Sequence, residues 1–128
     1  ILSLGGSTTY GAHLEQRSQA YPYVLANELL PPGSTVTNLA LRATGSDYAG
    51  MCLQSMVTQH GPDGGASSVL SPQDGDAILE GRGDVNYDVI LVEYSLNGLH
   101  GLPLLLRRLR RRYPHKPIVY VHLWSLRE

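Results

Sequence analysis

Three short stretches of this sequence carry residue types that together can open a carbonyl compound. Gly5-Gly6-Ser7-Thr8-Thr9-Tyr10-Gly11 presents a serine behind two glycines, Ala43-Thr44-Gly45-Ser46-Asp47 carries a glycine, and Ser95-Leu96-Asn97-Gly98 carries an asparagine. A serine hydroxyl on a tight turn can attack a carbonyl carbon, and the oxyanion that forms needs hydrogen-bond donors already in place. Backbone N–H groups and an asparagine carboxamide are such donors and bring no charge of their own. Gly45 lets its backbone approach closely, and Asn97 offers Nδ2–H.

These stretches can act together only if the fold brings them to one edge. Four apolar runs read as strands: residues 1–4, 36–41, 89–94 and 118–123. The third and fourth are continuous and β-branched rather than alternating, the pattern of strands buried on both faces of a parallel sheet. Between the runs lie helical patterns at 21–30, 47–59 and 101–113, as parallel crossovers require. In the first, Tyr21, Val24, Leu25 and Leu29 share a face, and Pro31-Pro32-Gly33 stops it. The second has Ser46 or Asp47 as N-cap and Tyr48, Met51, Cys52, Ser55 and Met56 as its inward stripe. The third carries Leu102, Leu105, Leu106, Leu109 and Tyr113 at helical spacing. Residues 61–86, rich in Gly, Ser, Asp and Pro, read as a long surface excursion, with a short helix starting at Ser71-Pro72. The order predicts a three-layer α/β domain with a doubly wound, flavodoxin-like parallel sheet. Four strands are present, and the expected last strand and helix are missing. Ligands of such sheets bind outside the carboxyl ends of the strands. Ser7, Gly45 and Asn97 each follow a predicted strand on that edge.

In these positions the Gly-Gly-Ser-Thr-Thr-x-Gly block, the glycine after the second strand and the asparagine after the third resemble blocks I, II and III of the SGNH (GDSL-like) hydrolase superfamily. The likeness extends in order over nearly the whole chain, with Tyr21-Pro22-Tyr23 following block I. It implies that Ser7 is the nucleophile and that the Ser7 N–H, the Gly45 N–H and the Asn97 side chain form the oxyanion hole, with Ala43 or Ser46 as alternative donors in block II. It implies a serine esterase that works through an acyl-enzyme on a carbohydrate or lipid ester, without a cofactor. The chain departs from the pattern at Gly6, where Asp is frequent, and in block III, which reads Ser-Leu-Asn-Gly where Gly-x-Asn-Asp is usual. The family's base and orienter come from a C-terminal Asp-x-x-His. No Asp or Glu here has a His three positions on. Because that motif belongs after the missing fifth strand, the expectation is a chain truncated at its C-terminus and nearly inactive by itself.

The remaining features narrow the function classes. The 128 residues, 42% hydrophobic, suffice for one domain and exclude two. Ten basic residues against eleven acidic ones give a net charge of −1, which asks for no nucleic-acid partner. No stretch is long and apolar enough to span a bilayer. The single cysteine, Cys52, excludes an internal disulfide and reads as core filler on the second helix. Arg107, Arg108, Arg110, Arg111 and Arg112 read as a solvated helix face, with a membrane or nucleic-acid patch as the sharper alternative. His100, three residues past Asn97, reads as a surface or helix-start histidine, with a makeshift base for Ser7 as the sharper alternative. His122 reads as packed or hydrogen-bonded, and His13, His60 and His115 as loop residues. Arg82-Gly83-Asp84 reads as a chance tripeptide, and Asp74-Gly75-Asp76 lacks the other ligands of a calcium loop. Two readings compete with the esterase: a flavodoxin-like module whose serine-threonine loop cradles a phosphate or flavin, and a non-catalytic SGNH-like carbohydrate binder.

Overall fold

The structure, a computed structural model, describes residues 1–59 and 86–123. The surface excursion expected after the second helix, with the short helix predicted in it, His60 and the two tripeptides noted above, lies outside the described residues apart from Asn86.

The four apolar runs form strands β1 (Leu2–Gly5), β2 (Thr37–Asn38), β3 (Ile90–Glu93) and β4 (Ile118–Tyr120). All pair in parallel, in the order β2-β1-β3-β4. This is an α/β fold with helices flanking the sheet. Leu2 faces Ile90 and Gly5 faces Glu93 across the central pair, so β1 and β3 end level with each other. The β2 ladder is short, yet Leu39 and Leu41 N–H groups still donate to Ser3 and Gly5 carbonyls at 2.9 and 3.1 Å. β3 is buried throughout, as its apolar run predicts. β4 is not, because it lies at the edge of the described sheet: Ile118 is half-buried, and Val119 and Tyr120 are exposed.

The helices are α1 (Ser7–Tyr10), α2 (Tyr21–Val24), α3 (Ser46–Gln59) and α4 (Leu102–Arg112). Strand side chains alternate between faces. Leu2, Leu4, Ile90 and Val92 therefore pack with Leu53, Met56, Leu105 and Leu109 of α3 and α4 in the main core. Ser3, Leu91 and Glu93 point to the opposite face.

Two predicted helix faces are corrected. In α3, Tyr48, Met51 and Ser55 are exposed and Cys52 is half-buried; the inward residues are Ala49, Leu53, Met56 and Val57. The reason is a close crossing with α4. A Cβ on Gly101 would collide with the Asp47 backbone, so only glycine admits this approach. The helix then presents Gly50 to its neighbour, where a Cβ would sit 3.3 Å from the Gly101 carbonyl oxygen and the Leu105 nitrogen. In the first helical segment Val24 and Leu29 are exposed, while Pro22 and Ala26 are buried. There α2 passes into a π-helical turn, Leu25–Leu29, which widens the repeat and rotates the apolar stripe. The α4 stripe matches expectation: Leu105, Leu109 and Tyr113 are buried, with Leu102 and Leu106 half-buried.

Candidate functional site

β1 runs straight into α1, whose first residue is the half-buried Ser7. The preceding Gly6 donates its N–H to the Glu93 carbonyl at 3.3 Å, fixing this turn to the end of β3. The Asn97 carboxamide lies on Gly6. A Cβ there would run into Asn97 Oδ1 and Cγ, so the absent side chain is what allows the contact. Asn97 Oδ1 is buried with no hydrogen-bond partner.

The second loop joins the same place. A Cβ on Gly45 would sit 3.3 Å from the Asn97 carbonyl oxygen and 3.4 Å from that of Gly98. Ser46, expected with Asp47 as one of two candidate N-caps, is the first residue of α3, and its hydroxyl crosses to the third loop and donates to the Gly98 carbonyl at 3.0 Å, as does its N–H at 3.2 Å. The Ser46 N–H is thus engaged and unavailable to a ligand. Among the described residues the Gly45 and Ala43 N–H groups make no backbone hydrogen bond. Ser7, Gly45 and Asn97, 90 positions apart along the chain from first to last, therefore lie on loops in mutual contact at one sheet edge.

Sequence reasoning missed what lies beneath that edge. Glu93, the last residue of β3, is fully buried. Its Oε1 accepts the Ser95 N–H at 2.9 Å and the Ser95 hydroxyl at 2.8 Å. Its Oε2 accepts the Thr9 hydroxyl at 3.0 Å. Ser95 Oγ in turn accepts the Leu123 N–H at 2.9 Å, which ties in the chain beyond β4. On the other flank Asn38 Nδ2 donates to the Thr9 carbonyl at 2.8 Å, so α1 is held from β2 as well as β3. The one signal in the sequence is an acidic residue closing an otherwise apolar strand, since carboxylates are almost never fully buried unless paired or hydrogen-bonded. Burial, then Glu93 and Asp47, pushes the Tyr94 hydroxyl well above its ordinary range. Burial is also the main cause that raises Tyr21, whose hydroxyl lies 3.5 Å from Thr9 Oγ1.

His13 and His100 are exposed, and the His122 ring tilts against Tyr120 with centroids 6.1 Å apart. The arginines do more than face solvent. Arg108 Nη1 donates to the Gly50 and Met51 carbonyls at 2.7 Å each, and Arg112 Nη1 donates to Gln54 Oε1 at 2.7 Å, clamping α4 onto α3. A cavity of about 510 Å³ opens at the opposite, amino ends of the strands, between Ile1, Pro31, Thr37, Tyr87 and Asp88, and includes none of the three site residues. Among the described residues no cluster of His, Cys, Asp and Glu has the makings of a metal site, and no helix is long and apolar enough to cross a membrane.

The fold and this edge define an α/β protein with a serine, a glycine and an asparagine gathered at the carboxyl ends of its strands. Comparison with protein-family models, with curated proteins and with solved structures found no match.

Proposed function

We propose that the chain supplies the nucleophile and oxyanion hole of an SGNH-like serine esterase. The observation that carries this reading is the packing of the Asn97 carboxamide on Gly6, beside Ser7, with Gly45 backed onto the Asn97-Gly98 peptide. In the reaction the Ser7 hydroxyl oxygen bonds to the acyl carbon of an ester and its proton passes to a base. The carbonyl oxygen takes the negative charge against the Ser7 and Gly45 N–H groups and Asn97 Nδ2–H. The ester C–O bond then breaks, the alcohol leaves with a proton, and water hydrolyses the acyl-serine. The 128 residues contain no Asp-x-x-His pair to take the first proton. A positioned general base contributes about 10²–10⁴-fold, so the chain alone should hydrolyse esters feebly.

No contact among the described residues favours the phosphate cradle over the esterase, and the Asn97 carboxamide packed on Gly6 is a feature that a phosphate-binding loop does not need. No comparable observation favours a carbohydrate binder over an esterase.

Free imidazole can stand in for the missing base. The 128-residue chain is mixed with p-nitrophenyl acetate and imidazole, and acetylation is located by peptide mass spectrometry. The expected result is an acetyl group on Ser7 that grows with imidazole concentration and is absent in Ser7→Ala. Acetylation confined to Lys116, the one lysine, or equal in Ser7→Ala, overturns the esterase reading.

A further inference from the structure

The buried carboxyl group of Glu93 touches none of the reacting atoms named above, yet it joins the two loops that carry them. Thr9 sits two residues after Ser7 in the same helical turn, and Ser95 two residues before Asn97 in the same loop. One oxygen holds the first through Thr9 Oγ1, and the other holds the second through both the Ser95 N–H and hydroxyl. The Gly6 N–H closes the circuit on the Glu93 carbonyl. A fully buried carboxyl is a rigid strut, because each bond it makes is unscreened and breaking one strands a polar group without water. We propose that Glu93 is a positioning residue that sets the separation of Ser7 from Asn97 by gripping Thr9 on one side and Ser95 on the other.

This inference rests on the esterase reading for its functional consequence, and its geometric content is read separately. The same contacts explain why a serine stands at position 95. Its hydroxyl links Glu93 to the Leu123 N–H, so the strut extends from α1 across β3 to the chain leaving β4. Two substitution classes follow from the donor pattern. A glutamine at 93 keeps an acceptor for the Ser95 N–H, and its amide donates to Thr9 Oγ1 once that hydroxyl turns. An alanine at 93 removes the acceptor of all three donors and leaves the Thr9 hydroxyl only its 3.5 Å contact with the Tyr21 hydroxyl.

The test compares Glu93→Ala, Glu93→Gln, Thr9→Val and Ser95→Ala with the wild-type chain. Each is examined at a urea concentration where its own denaturation curve shows it folded. The readouts are the imidazole-supported acetylation rate of Ser7 and the ¹H–¹⁵N signal of the Asn97 side-chain amide. Glu93→Ala should slow acetylation about 10²-fold, the scale of an ångström-sized misplacement, and shift the Asn97 amide signal. Glu93→Gln should restore both to near wild type, and Thr9→Val should slow acetylation while leaving the Asn97 signal less disturbed than Ser95→Ala does. Folded Glu93→Ala with an unchanged Asn97 signal and a rate within about threefold of wild type overturns the proposal. If Glu93→Ala does not fold, Thr9→Val and Ser95→Ala decide: wild-type rates and signals in both overturn it. If the wild-type chain itself is not acetylated at Ser7, the esterase reading fails, and the Asn97 signal in Glu93→Gln and Ser95→Ala still decides whether Glu93 sets that loop.

Discussion

At the scale of single residues, the contact between Gly6 and Asn97 is the most sensitive point of the proposed site, because a single methyl group separates presence from absence of one oxyanion donor. Alanine at position 6 must displace the carboxamide, since its Cβ would occupy the space that Oδ1 and Cγ fill. Loss of one oxyanion donor lowers catalytic rates about 10²–10³-fold, so Gly6→Ala and Asn97→Ala are each expected to slow imidazole-supported acetylation of Ser7 by that factor. Overpacking also destabilises by about 1–3 kcal/mol, which Gly6→Ala alone should show in urea denaturation. The double variant is the sharper measurement. Removing the carboxamide makes room for the new methyl, so the double should regain stability relative to Gly6→Ala while losing no more activity than either single change. Additive losses in both quantities would mean that the two residues do not meet. The placement of Ser7, Gly45 and Asn97 after strands at one sheet edge was legible in the sequence, although Gly6 stood there only as a departure from the family pattern. Glu93, Thr9, Ser95 and Asn38 were not legible, because their role is fixed by bonds across the sheet edge that no local spacing records.

At the scale of elements, the apolar stripe of α4 was legible and that of α3 was not. Leucines at helical spacing mark α4 without ambiguity, whereas in α3 two registers of apolar residues compete. Periodicity favoured Tyr48, Met51 and Met56; the structure buries Ala49, Leu53, Met56 and Val57. The choice is made by the neighbour, since a crossing this close requires small residues on both helices. Gly101 is the contact that fixes it, and Gly101→Ala is expected to destabilise the fold by about 1–3 kcal/mol, because its Cβ must push against the Asp47 backbone rather than a yielding side chain. The displaced segment is the first turn of α3, so the Ser46 bonds to the Gly98 carbonyl should weaken with it. Urea denaturation measures the first effect, and hydrogen exchange of the Ser46 N–H the second. Unchanged stability together with unchanged exchange would show that α3 and α4 separate without strain.

For the whole molecule, sheet order was legible from the sequence of apolar runs alone, because right-handed parallel crossovers leave few ways to lay four strands side by side. What could not be read was the polarity hidden between its layers. Tyr94 ends up almost fully buried in the main core, one residue after a buried carboxyl group that projects to the opposite face. Burial, Glu93 and Asp47 all hold its hydroxyl protonated well above the ordinary range, and burial does the same for Tyr21 more weakly. The sign of the consequence follows from which state ionises first. Below the unfolded value of about 10 both states keep the proton and the contribution to stability is fully present. Above it the unfolded chain ionises while the folded one does not, so stability falls by up to about 1.4 kcal/mol per pH unit for each such group until the folded hydroxyl titrates. The protein should therefore lose stability steeply as the pH climbs past about 10. Tyr94→Phe keeps the buried ring and removes the titrating group, so it should flatten that fall by about 1 kcal/mol between pH 10 and 11. Urea denaturation of both proteins at pH 8, 10 and 11 measures the difference directly. Curves that descend in parallel would place the alkaline sensitivity outside this core and remove Tyr94 from its explanation.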